Sequence, residues 1–128
     1  MTEKSDKRAF DRMQIPGASV IFRKKNKLGF FERFSKPMEL FNITKSGVCF
    51  ASDKKFDAGE NVCIDIIIPG EKELRLYGNI KWISEDMVTE ARLIGAQFSA
   101  FGKGRNYNSL KSLDRLRNLH QEYGQSEN

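Results

Sequence analysis

The chain is poor in the side chains that usually carry covalent or metal chemistry. Its 128 residues include one histidine and two cysteines, so no His/Cys spacing of the kind that holds zinc exists. Cys49 and Cys63 both fall inside β-like runs and are expected as small core-type residues rather than as a disulfide. Long apolar runs are missing too. Ile66-Ile67-Ile68 is typical of the runs present, far short of the roughly 20 residues that cross a bilayer. The N-terminus is polar and charged, with no apolar core of a signal peptide, which points to a cytoplasmic protein. The lone histidine, His120, falls in a helical pattern where acid–base chemistry is not expected. No catalytic constellation is visible, and no cofactor is expected.

What is present suits one globular domain. Hydrophobic residues make up 39% of the chain and include ten phenylalanines, enough for a single core. The net charge of +5 is unevenly placed. Residues 1–34 hold nine Lys/Arg against four Asp/Glu, while residues 35–128 hold thirteen of each. The excess positive charge therefore lies in the N-terminal quarter and suits an anionic partner: a nucleotide, a nucleic acid, a membrane surface or an acidic protein face.

Met1 to Met13 reads as a charged, mobile arm, and Pro16-Gly17 as the turn into the domain. Period-two alternation begins with Ala18, Val20 and Phe22, then recurs in Met38 to Ile43 and Val48 to Ala51. It continues in Val62, Ile64, Ile66 and Ile68, in Leu74, Leu76, Gly78, Ile80 and Trp82, and in Ile94, Ala96 and Phe98. Lys24 to Lys27 reads as a basic turn before an aromatic segment around Phe30, Phe31 and Phe34. Pro69-Gly70 supplies a turn with suitable chemistry. Short strands at this spacing predict an antiparallel barrel, in meander order. At the C-terminus, Asn108 or Ser109 is placed to cap a helix whose stripe holds Leu110, Leu113, Leu116 and His120 or Tyr123. Gly124 onward is expected to fray.

Two stretches carry the binding chemistry. Arg8 and Arg12 stand four apart on the arm, each with a planar fork that grips phosphate or the O6/N7 edge of guanine. Ordering an arm residue costs roughly 1–2 kcal/mol, and a good bidentate pair contributes about 1–3 kcal/mol. Two arginines, helped by Lys7, are therefore needed to offset immobilising the arm. In Asn42-Ile43-Thr44-Lys45-Ser46-Gly47, Asn42 and Thr44 leave a strand on one side. Their amide and hydroxyl suit a base edge and a phosphate. Gly47 is expected to supply a positive φ and room for a flat base. Taken singly, either stretch would also suit a solvated tail or an ordinary turn.

Arg8-xxx-Arg12 with Asn42-x-Thr44-xx-Gly47 resembles the RxxxR and [D/N]xSxxG motifs of the PilZ domain family, bacterial receptors for cyclic di-GMP. Gly78-Asn79-Ile80-Lys81-Trp82 and Ile94-Gly95-Ala96-Gln97-Phe98 resemble further strands of that family, and the likeness runs from about Lys7 to Leu119. The resemblance implies a six-stranded antiparallel β-barrel over residues 14–102, a ligand-binding arm over 1–13, a C-terminal helix over 103–123 and a disordered tail over 124–128. It implies cyclic di-GMP clamped by Arg8, Arg12, Asn42, Thr44 and Gly47, with Lys7 assisting, in an adaptor that relays the signal to an effector protein. Thr44 departs from the usual serine by one methyl group. Lys7 stands where some members carry arginine, which leaves one or two bound ligands open. The alternatives are a PilZ-like interaction module without ligand, and a basic barrel stacking single-stranded nucleic acid on Phe30, Phe31 and Tyr77.

Overall fold

The computed structural model describes residues 14–85 and 92–124. The arm with Lys7, Arg8 and Arg12 and the tail beyond Gly124 lie outside the described residues. Six strands are formed: β1 (Ser19–Lys24), β2 (Met38–Ile43), β3 (Gly47–Ser52), β4 (Asn61–Ile67), β5 (Leu74–Glu85) and β6 (Arg92–Phe98). One helix, α1 (Leu110–Tyr123), comes after them. The strands close into an antiparallel barrel in the order β1-β2-β3-β6-β5-β4. The barrel and the C-terminal helix match the expectation, but meander order does not hold. β3 pairs with β6, and β4 crosses over to pair with β1. Alternation states which face of a strand is buried and says nothing of its neighbours.

The inward rows are those the alternation implied. Val20, Phe22, Ile43, Phe50, Ile64, Ile66, Leu76, Ile80 and Ile94 are all essentially inaccessible and form one core. Two Pro-Gly turns close one end of the barrel. Ala18 N donates to Ile15 O at 3.1 Å and Glu71 N to Ile68 O at 3.0 Å, with Gly17 at φ 75 and Gly70 at φ 80. A glycine at the third position with positive φ is what a type II turn after proline requires.

Helix α1 packs at this same end. Ser109 is its cap, accepting from Ser112 N. The buried stripe is Leu116 and Leu119, whereas Leu110 is exposed, so the expected stripe is rotated toward the C-terminus. Arg115 fixes the docking by donating to the carbonyls of Glu73 (3.0 Å) and Lys72 (2.6 Å) in the β4–β5 turn. Gly124 donates its N–H to His120 O at 2.8 Å and so belongs to the helix cap. Asn108 is a buried staple instead of a cap. Its side chain accepts from Tyr77 N and donates to the carbonyls of Tyr77 and Ser99, tying the α1 lead-in to β5.

A second, smaller layer covers the outer face of β1, β4 and β5. The segment after β1 turns back along it, with Glu32 N donating to Lys24 O and Ser35 N to Phe22 O, both 2.7 Å. The Arg23 guanidinium lies 5.0 Å from the Phe31 ring centre and 4.6 Å from Phe34, and Arg75 lies 5.2 Å from Phe34. Beneath this layer Asp65 is buried and bound bidentately by Arg75 at 2.7 and 2.9 Å. That hydrogen bonding holds the Arg75 pKa above its ordinary value. Cys63 is buried here too. Burial pushes its thiol pKa up, against a smaller opposing hydrogen bond from Arg23. Neither cysteine is in a disulfide.

Candidate functional site

Two β-bulges shape the outer wall of β2, β3, β6 and β5. In β2 the register slips between Leu40 and Asn42, and in β5 it slips between Ile80 and Trp82. Each bulge inserts one residue, Phe41 or Lys81, and reverses the facing of the next residues in its strand. Leu40 packs on the core and Ile43 is fully buried, so Asn42 is turned outward between them. Ile80 is buried and Ile83 packs on the core, so Trp82 is turned outward, 47% exposed. The expectation that Trp82 shares the inner face of Leu74, Leu76 and Ile80 is therefore overturned.

Register aligns the re-aimed residues in one row. Asn42 pairs with Cys49, Cys49 with Gly95, and Gly95 with Trp82. At roughly 4.8 Å between strands the row spans about 14 Å. The indole lies over Gly95, and a Cβ added there would run into the ring at Cε2 and Nε1. Gly95 thus serves as the seat of the tryptophan. The result is a shallow concavity of about 390 Å³, with Asn42, Thr44 and Gly47 on one side and Lys81 and Trp82 on the other.

The corner at Thr44 is built by its own hydroxyl. Thr44 Oγ1 accepts from Ser46 N and Gly47 N, both at 3.1 Å, and Thr44 N donates to Gly47 O at 2.8 Å. Its remaining contacts, Ser46 Oγ and Gly47 O at 3.3 Å, are long and leave its proton weakly held. Gly47 corrects the expectation made for it. It is not among the positive-φ glycines, and the space beside it is taken by β6. A Cβ at Gly47 would collide with the Ala96 carbonyl oxygen. Glycine is needed there for strand contact, not for the approach of a base.

The site residues on the barrel thus come together, while Lys7, Arg8 and Arg12 lie outside the described residues. Lys81 and Trp82, which line the same concavity, were not singled out from the sequence. The available signal was glycine inside a strand pattern, Gly95, which marks a close approach or a bulge. The stacking trio Phe30, Phe31 and Tyr77 does not form a shared platform. Phe31 and Tyr77 pack on each other at 5.9 Å, and Phe30 projects away into solvent. Among the described residues no group of three or more His, Cys, Asp or Glu is placed to hold a metal.

No family model and no curated protein sequence matches the chain. Solved structures do. The chain is similar to the Bacillus subtilis inhibitor of motility MotI/DgrA, with TM-score 0.61 and 16% identity over 87% of this chain and 48% of that one. It is equally similar to K. pneumonia MrkH in complex with c-di-GMP, with TM-score 0.61 and 11% identity over the same shares. The fold is a PilZ-type barrel. The chain spans about half the length of these neighbours, and identities this low speak to the fold alone.

Proposed function

We propose that the chain is a cyclic di-GMP receptor whose site is the outer wall from Asn42 to Trp82, closed by the arginine arm. The observation that carries this reading is the pair of bulges, which turn one amide and one indole out of the core onto a single row. Seating on Gly95 covers only about half of the indole and leaves 47% of Trp82 open on the outer wall, an apolar face available for contact. The indole offers a face for stacking a purine, Asn42 offers donor and acceptor for its edge, and Lys81 offers charge to a phosphate. One neighbour is a complex with this dinucleotide, which supports the reading.

Chain geometry lets the arm take part. Ser19 pairs with Glu39 in antiparallel register, so β2 runs past the start of β1 and the corner stands at the barrel end where residues 14–18 enter. Arg12 and Arg8 are two and six residues upstream of Gln14, reaches of up to about 7 and 21 Å. In this account Arg8 and Arg12, with Lys7 adding charge, close over the ligand, and the change at the arm is what a cytoplasmic effector protein reads.

Titration calorimetry with cyclic di-GMP tests the reading. Saturable heat is expected for the natural chain, with affinity weakened about 30-fold or more in Arg8→Ala/Arg12→Ala, the loss of two bidentate pairs. No heat, or identical isotherms for the two, refutes it. A ligand-free interaction module is the second reading. It is favoured by the commitment of the Thr44 hydroxyl to its own turn, and the same null isotherm would select it.

A further inference from the structure

The loop between β1 and β2 has an unusual economy: it is tightly built, yet what it presents is apolar. Asn26 organises it. Its backbone N–H donates to Phe30 O at 2.6 Å, and its carbonyl accepts from Gly29 N at 3.0 Å. Its side-chain Oδ1 accepts from Leu28 N at 2.9 Å and Phe30 N at 3.0 Å. Gly29 takes φ 91 at the tip, and Lys25 bridges to Phe31 at the base. Phe31 is held in turn against Tyr77 and Arg23. On this scaffold Leu28 is 82% exposed and Phe30 69% exposed, the two most exposed large hydrophobic residues described.

The collar is cationic. Residues 23–31 hold Arg23, Lys24, Lys25 and Lys27 and no acidic residue, and Lys25 and Lys27 are exposed. Glu60, the acid paired with Lys24, sits at the base at 3.6 Å, and Glu32 lies just past the loop. The tip leaves β1 at its C-terminal end, so it lies at the opposite end of the barrel from the Asn42–Gly47 corner.

We infer that this loop is a docking tip for an anionic lipid surface. Leu28 and Phe30 project from the tip and do not line the cavity of about 380 Å³ beside the loop base, which Lys25, Phe31 and Tyr77 line. A fluid interface closes around Leu28 and Phe30 while its headgroups meet Lys25 and Lys27. Because the loop is ordered by its own hydrogen bonds, insertion needs little further ordering. The proposal stands apart from the nucleotide site and gives the opposite end of the barrel a role of its own.

Co-sedimentation of the full chain with vesicles of phosphatidylcholine alone, and with phosphatidylglycerol added, tests it. Binding is expected only to the anionic vesicles. Leu28→Ser/Phe30→Ser and Lys25→Glu/Lys27→Glu should each lower the partition coefficient by roughly tenfold or more. Absence of vesicle binding overturns the proposal, as does binding that both double variants retain in full. A self-associating chain in which Leu28→Ser/Phe30→Ser only restores the monomer, by sedimentation velocity, assigns the tip to a second copy and overturns it as well.

Discussion

Replacing Arg75 with methionine should cost the barrel far more than replacing its partner Asp65 with asparagine. The two side chains are unequally exposed, 43% for Arg75 and 3% for Asp65. Losing the guanidinium strands a buried carboxylate that water reaches poorly. Losing the carboxylate frees a guanidinium that can hydrate. Breaking a buried pair costs about 3–5 kcal/mol, and partial exposure of Arg75 argues for the lower edge, about 3 kcal/mol. Asp65→Asn keeps an oxygen acceptor for Arg75 and should cost about 1 kcal/mol. In melting temperature these are falls of roughly 12 °C and 4 °C. The Asp65→Leu/Arg75→Met double variant should recover most of the loss, since a packed apolar pair often replaces an ion pair at little cost. Thermal and urea unfolding of the four proteins decides it. Equal costs for the two single variants, or a double variant worse than Arg75→Met, would refute the reasoning.

Thr44→Val removes the acceptor for two backbone N–H groups and should lower stability by about 1–2 kcal/mol, while Thr44→Ser should be near neutral; urea midpoints separate them. Gly47→Ala drives a methyl group into the Ala96 carbonyl and should destabilise by about 1–3 kcal/mol, with amide shifts in β3 and β6 by NMR. Burial should make native Cys63 resist alkylation until the chain unfolds. Because its folded pKa is raised, its contribution to stability is intact below the thiol's ordinary 9.0 and declines as pH climbs toward the folded value. Cys63→Ala should flatten that alkaline decline in a pH series of unfolding curves.

Much of the barrel was legible because its inner rows alternate cleanly: Val62 to Ile68 and Leu74 to Ile80 announce their buried faces. The neighbours of β3 and β4 were not, since pairing is decided by closure across the whole sheet. Asn42 was legible through its motif. Trp82 was misplaced because period-two counting fails after one inserted residue, and nothing local to Lys81 marks the bulge. Asp65 and Cys63 look like outward positions by alternation. Their burial depends on Phe31 and Phe34 arriving from another part of the chain. Thr44 carried both of its readings in the sequence, and the turn it builds became visible only with the backbone in place.

Trp82 is the chain's one tryptophan, so its fluorescence reports on the proposed site without interference. Titrating cyclic di-GMP into the natural chain and into Arg8→Ala/Arg12→Ala tests both halves of the clamp in one measurement. The account predicts a saturable change in Trp82 emission as a base covers the indole, shifted to far higher ligand concentration when the arginines are gone. An emission spectrum that stays constant through the titration, or one that responds identically in both proteins, would contradict it.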